Sequence, residues 1–114
     1  MNISDYQRMQ SDFDDQYFDL KDKSCFDQVR HILLHLSCTV GKLARLCEMH
    51  EHRLLKDKHV QLSMSDLSSE VMIEVIPDLL IHSMQLARCM DLSLSRLYMD
   101  RLEYIRQRRQ SSEV

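Results

Sequence analysis

The sequence predicts an all-α fold, an antiparallel bundle of about four helices completed by oligomerisation. Three observations lead there. The 114 residues include one glycine and one proline, which leaves almost no vocabulary for tight turns and hairpins. Apolar residues recur three and four apart along most of the chain, the spacing of a helix face. Residues 70–90, EVMIEVIPDLLIHSMQLARCM, carry apolar side chains on nearly every side. A helix of that kind is enclosed by other helices, and a chain this short supplies too few of them by itself.

Residues 1–23 place Tyr6, Met9, Phe13, Tyr17 and Leu20 on one stripe and read as an N-terminal amphipathic helix. Ser24, with Asp27 in the first turn, caps a long second helix. Its expected core stripe is Phe26, Val29, Leu33, Leu36, Val40, Leu43, Cys47 and Leu54. Residues 56–64 form the main loop, and Ser65 or Asp66 caps the central helix. Pro77 sits inside that helix, where it deletes a backbone bond at a cost of about 3 kcal/mol or more. The apolar pattern continues past it, so a kinked but continuous helix is expected, with its phase kept. Asp91 or Ser93 caps the last helix, whose stripe is Leu94, Leu97, Leu102 and Ile105. The organisation is thus an N-terminal helix (1–23), a helical domain (24–109) and a disordered tail (110–114).

The net charge of −3 favours neither nucleic acid nor an anionic membrane. No run of apolar residues is long enough to span a bilayer, and the first twenty residues are acidic and polar rather than a leader. Cys25, Cys38, Cys47 and Cys89 lie in apolar helical segments without CxxC spacing, so reduced, buried thiols are expected. That reading places the protein in the cytoplasm, with the nucleus also open. His31, His35 and Cys38 share a helix face and offer two or three zinc ligands, but without a fourth. The run Arg101, Arg106, Arg108 and Arg109 offers contacts to the phosphates of a nucleotide or of RNA, Arg106 among them, but a solvated helix end, favourable for cations at its negative pole, explains it more cheaply. No glycine-rich phosphate loop or nucleophile signature is present.

The carboxylates raise the functional question. Glu70, Glu74 and Asp78, four apart, share one face of the apolar central helix. A charge on an enclosed helix is costly unless it is paired or binds a metal.

Two segments, LHLSCTVGKLARL (34–46) and VIPDLLIHSMQLARCMDLSLSRLYMDRLEYIRQRR (75–109), resemble the MazG-like all-α nucleoside triphosphate pyrophosphohydrolases, in particular the small dCTP pyrophosphatase-type members. Gly41 falls on the glycine of that family's EVGELAEL pattern. The resemblance covers about half the chain and implies an oligomeric helical bundle. It also implies Mg²⁺ held by a Glu-x-x-Glu pair on one helix and a Glu-x-x-Asp pair on the next, acting on a triphosphate. The first pair falls on Thr39 and Lys42, the second on Val75 and Asp78; the family's later lysine falls on Tyr98 and its asparagine on Leu102. The terminal arginine corresponds to Arg106, one residue out of register. Of these positions only Asp78 keeps the family's metal-binding chemistry.

The expectation is therefore a catalytically degenerate protein on the pyrophosphohydrolase framework, acting as a helical module that binds itself or a protein partner without a cofactor. The alternative is an active Mg²⁺-dependent enzyme, taking a nucleoside triphosphate to monophosphate and pyrophosphate with a shifted set of Glu48, Glu51, Glu74 and Asp78; a nucleotide ligand stays open with it. An unrelated helical adaptor is the third reading. If the metal is lost, Lys42 is expected to take the cation's place, pairing with Asp78 and secondarily Glu74. As a buried pair it would be costly to break from one side.

Overall fold

The computed structural model describes residues 1–18, 21–57 and 69–112, and among these every regular element is helical. The elements are α1 (Ile3–Tyr17), α2 (Cys25–Lys56), a π-helical turn (Val71–Val75) running directly into α3 (Ile76–Cys89), and α4 (Leu94–Ser112). No helix is long and apolar enough to cross a membrane among the described residues. Leu20, most of the expected loop, the caps Ser65 and Asp66, and residues 113–114 lie outside the described residues.

Local chemistry accounts for the ends. Asn2 and Asp5 form a reciprocal capping box on α1, each side chain accepting from the other's backbone N–H at 3.0 and 2.8 Å. Ser24 Oγ accepts from Asp27 N–H at 3.1 Å and so caps α2. Ser93, rather than Asp91, caps α4, accepting from Arg96 N–H at 3.3 Å. Asp91 instead ends α3 in the left-handed region, at φ 54°. There its N–H reaches Arg88 O and that of Leu92 reaches Ala87 O, the Schellman arrangement. Two boundaries differ from expectation. α1 stops at Tyr17, where the Phe18 N–H closes on Asp14 O. α4 runs through Gln110 to Ser112, the hydroxyls of Ser111 and Ser112 donating to the carbonyls of Gln107 and Arg109.

The chain divides into two compact units, residues 1–29 with 83–114, and residues 30–82. In the first, α1 packs on α4, tied by Gln7: its Nε2 donates to Leu92 O at 3.0 Å and its Oε1 accepts from Leu94 N–H at 3.1 Å. Asp14 is buried, and its Oδ1 accepts from Gln10 at 2.9 Å and Gln85 at 3.2 Å, so the desolvated carboxylate is not left without donors. Beside it Arg88 bonds Ser11 O and pairs with Asp15, whose carboxyl is held below its ordinary value chiefly by that hydrogen bond. Met84 and Ala87 are the buried apolar residues here.

In the second unit, α2 runs antiparallel to the π turn and the start of α3: Lys42 reaches Glu74 while Thr39, earlier on α2, reaches His82, later on α3. The inner stripe of α2 is Ile32, Leu36, Thr39, Leu43 and Leu46, of which Ile32 and Thr39 are buried. The sequence stripe shares only Leu36 and Leu43 with it. Leu33, Val40, Cys47 and Leu54 are exposed, because their repeat starts about a quarter-turn round α2 from the inner stripe and the described residues do not cover it. The expected burial of the cysteines fails for the same reason: Cys25, Cys38 and Cys47 are exposed, while Cys89 is half-buried, its thiol pushed up by burial.

The central helix is continuous through Pro77, but its phase is not kept. The Ile76 N–H bonds Val71 O, five residues back, so the wide turn inserts one extra residue just before the proline. A proline ring clashes with the carbonyl four residues behind it, and opening the preceding turn relieves that clash. Nor does the chain enclose this helix: Met72, Ile73, Ile76 and Leu80 are exposed. Gly41 is also unexplained within the chain. Its φ is not positive, and a Cβ there would meet nothing within 4 Å. A mid-helix glycine costs about 0.5–1 kcal/mol relative to alanine.

Candidate functional site

The π turn determines what faces Lys42. With one extra residue in the turn, Glu74 rotates to the position that unbroken α-helical phase would give to a neighbour. The ion pair of Lys42 Nζ therefore runs to Glu74 Oε2 rather than to Asp78. Glu70 and Asp78 add weaker electrostatic attraction, and the Lys42 ammonium is held above its ordinary 10.5, first by the Glu74 hydrogen bond and then by that carboxylate's charge. Both side chains are 48% exposed. The expected buried pair is thus a half-exposed one, and the large penalty expected for breaking it does not apply, since exposed pairs contribute little.

The other positions named from the resemblance are structural here. Val75, aligned by the resemblance with a carboxylate ligand, is 1% exposed and is the largest fully buried side chain among the described residues. Thr39 is buried; its hydroxyl donates to His35 O at 3.2 Å, the helix bond available to a mid-helix threonine. The same oxygen lies 2.9 Å from His82 Nε2. With the hydroxyl proton committed to His35 O, Nε2 is the donor in this contact, and the buried Nδ1 has no partner among the described residues. Sequence reasoning missed His82. The signal available was a lone histidine on an apolar helix that needs a polar partner opposite, and Thr39 is the one inward polar residue of α2 near that level.

The remaining candidates are not drawn into this group. Glu48 lies 3.9 Å from His52, one turn along α2, and Glu51 is exposed. Tyr98 and Leu102 are exposed on α4, where Arg106 pairs with Glu103 at 2.7 Å and Arg101 and Arg108 lie over the Tyr104 ring at 5.1 and 5.8 Å. His31 and His35 meet through their Nε2 atoms at 3.2 Å, with Cys38 exposed beyond them. Among the described residues no three His, Cys, Asp or Glu side chains converge in a geometry that could hold a metal ion.

As a donor set for Mg²⁺ these residues do not fit. A hard cation takes several oxygen ligands. Here one carboxylate is bound by a tethered ammonium, one expected ligand position is a packed valine, and another is a hydroxyl already bonded.

The raised Lys42 value has a testable sign. The folded chain holds this proton more tightly than the unfolded one, so the pair's contribution is complete below pH 10.5 and fades as pH rises through the elevated folded value. Lys42→Met is expected to lower the neutral-pH melting temperature slightly and to shrink its alkaline decline by that same small amount. Melting curves from neutral to strongly alkaline pH check this; an unchanged alkaline limb would remove the pair from the account. No protein family, curated protein or solved structure matches the chain.

Proposed function

We propose that this protein is a non-catalytic helical assembly module: a pyrophosphohydrolase-like framework in which the metal cage has been replaced by structural residues and whose open faces are completed by association, most simply with a second copy. The observation that carries the reading is the distribution of apolar side chains. Among the described residues the buried apolar ones are Ile32, Val75, Met84 and Ala87, whereas Ile73 and Leu34 are 75% and 62% exposed and Leu33, Val40, Ile76 and Met72 lie open with them. Single exposed hydrophobics are ordinary, but contiguous apolar helix faces mark interaction surfaces.

The Lys42–Glu74 pair supports the non-catalytic half of the reading. A fixed positive charge among Glu70, Glu74 and Asp78 supplies what a divalent ion would supply to clustered carboxylates, while offering no open coordination position for water or phosphate. Glu74 and Asp78 also belong to the shifted set that an active enzyme would use, so the test separates the two. Purified protein is incubated with a panel of ribo- and deoxyribonucleoside triphosphates and Mg²⁺ or Mn²⁺, and pyrophosphate release is followed. The expected rate is that of the protein-free blank for every nucleotide. Sustained release with a base preference, abolished by Asp78→Asn, would overturn the non-catalytic reading.

A further inference from the structure

We propose that His31 and His35 form a two-nitrogen site on α2 for zinc or a like transition-metal dication. The site does not depend on the assembly reading, and either can fail without the other.

The two histidines are four residues apart on α2, so one turn of helix lays their side chains over each other. Their rings meet through the Nε2 atoms, 3.2 Å apart. The ring centroids lie 4.6 Å from each other and the planes cross at 65°, so the rings approach at an angle rather than end to end. Two ligands of one ion stand in that relation. Zinc binds imidazole nitrogen at about 2.0–2.1 Å in tetrahedral geometry, which sets neighbouring ligand nitrogens about 3.3–3.4 Å apart. The rings need hardly move to hold it.

The donor chemistry selects the class of ion. Imidazole suits zinc, copper and nickel, whereas magnesium and calcium seek oxygen. Without metal, one Nε2 proton fills the gap between the two nitrogens. An entering ion takes that gap, and the ring that gives up its Nε2 proton takes one up on Nδ1, so both imidazoles stay neutral ligands. His31 is half-buried and His35 exposed, so water reaches the ion and fills its remaining positions.

A third ring helps to hold the pair in place. His82 lies beside His35, with centroids 6.5 Å apart and planes 26° from parallel. His82 is itself buried and fixed by its 2.9 Å contact with Thr39. A fixed ring at that distance limits the rotamers open to His35, so part of the ordering that chelation requires is already in place.

The test uses the full chain, kept reduced and titrated with zinc while the histidine rings are followed by ¹H–¹⁵N NMR. The Nε2 resonances of His31 and His35 are expected to shift together, those of His82 to stay in place, and millimolar Mg²⁺ to move none of them. His31→Ala and His35→Ala, with helicity checked by circular dichroism, are each expected to raise the zinc dissociation constant at the remaining ring about a hundredfold, because a lone imidazole lacks the tethered second ligand. His31 and His35 resonances that stay put under excess zinc would overturn the site, leaving the pair a hydrogen bond and any bound zinc to the thiols. Zinc shifts at one ring that survive removal of the other unchanged would overturn it as well.

Discussion

Val75→Glu unfolds the chain, and millimolar Mg²⁺ does not rescue it. The substitution places a carboxylate at a position the family resemblance associates with a metal ligand, so an intact cage would gain a donor. The geometry points the other way. Val75 is 1% exposed, and an uncompensated buried charge costs about 3–5 kcal/mol. That is a large part of the stability of any small domain. Loss of the cooperative thermal transition by circular dichroism, unchanged when Mg²⁺ is added, is the expected result. A folded variant whose melting temperature rises with Mg²⁺ would mean that the cage survives.

Ile32→Ala and Leu33→Ala, neighbours of similar chemistry, are expected to behave differently. Ile32 is 3% exposed, and truncating a buried isoleucine costs about 2–5 kcal/mol, depending on how far the cavity collapses. Leu33 faces outward, and its truncation should change unfolding by no more than about 0.5 kcal/mol when measured in dilute solution, where copies are dissociated. Urea denaturation followed by circular dichroism below the dissociation constant makes the comparison. Equal losses at the two sites would mean that the inner stripe of α2 is misassigned.

The contrast between these two residues shows where the sequence stops being legible. The helices themselves were readable: one glycine and one proline exclude most alternatives, and Ser24 and Ser93 cap where the sequence places caps. The facing of α2 was not, because periodicity finds apolar stripes without saying which one the chain covers. Following the seven-residue repeat from Leu33 to Val40 and Cys47 picked out the outward stripe; the inner stripe runs from Ile32 to Thr39 and Leu46. In the candidate site, the charge at Lys42 and its acidic surroundings were legible from the spacing of Glu70, Glu74 and Asp78. The choice of Glu74 was legible only as an alternative, one residue from the expected place and reachable if Pro77 shifts the helix phase; the π turn that shifts it has no other sequence trace. The Thr39–His82 bond lay hidden for a related reason: it joins two helices whose relative register no local pattern records.

The central claim is that this chain leaves its helix faces open for another copy to cover. Sedimentation equilibrium of the unmodified protein at micromolar concentration, in the absence of nucleotide and metal, tests it most directly. The expected result is a species of twice the chain mass or more, dissociating only on dilution; a stable, well-folded monomer across the whole concentration range would contradict it.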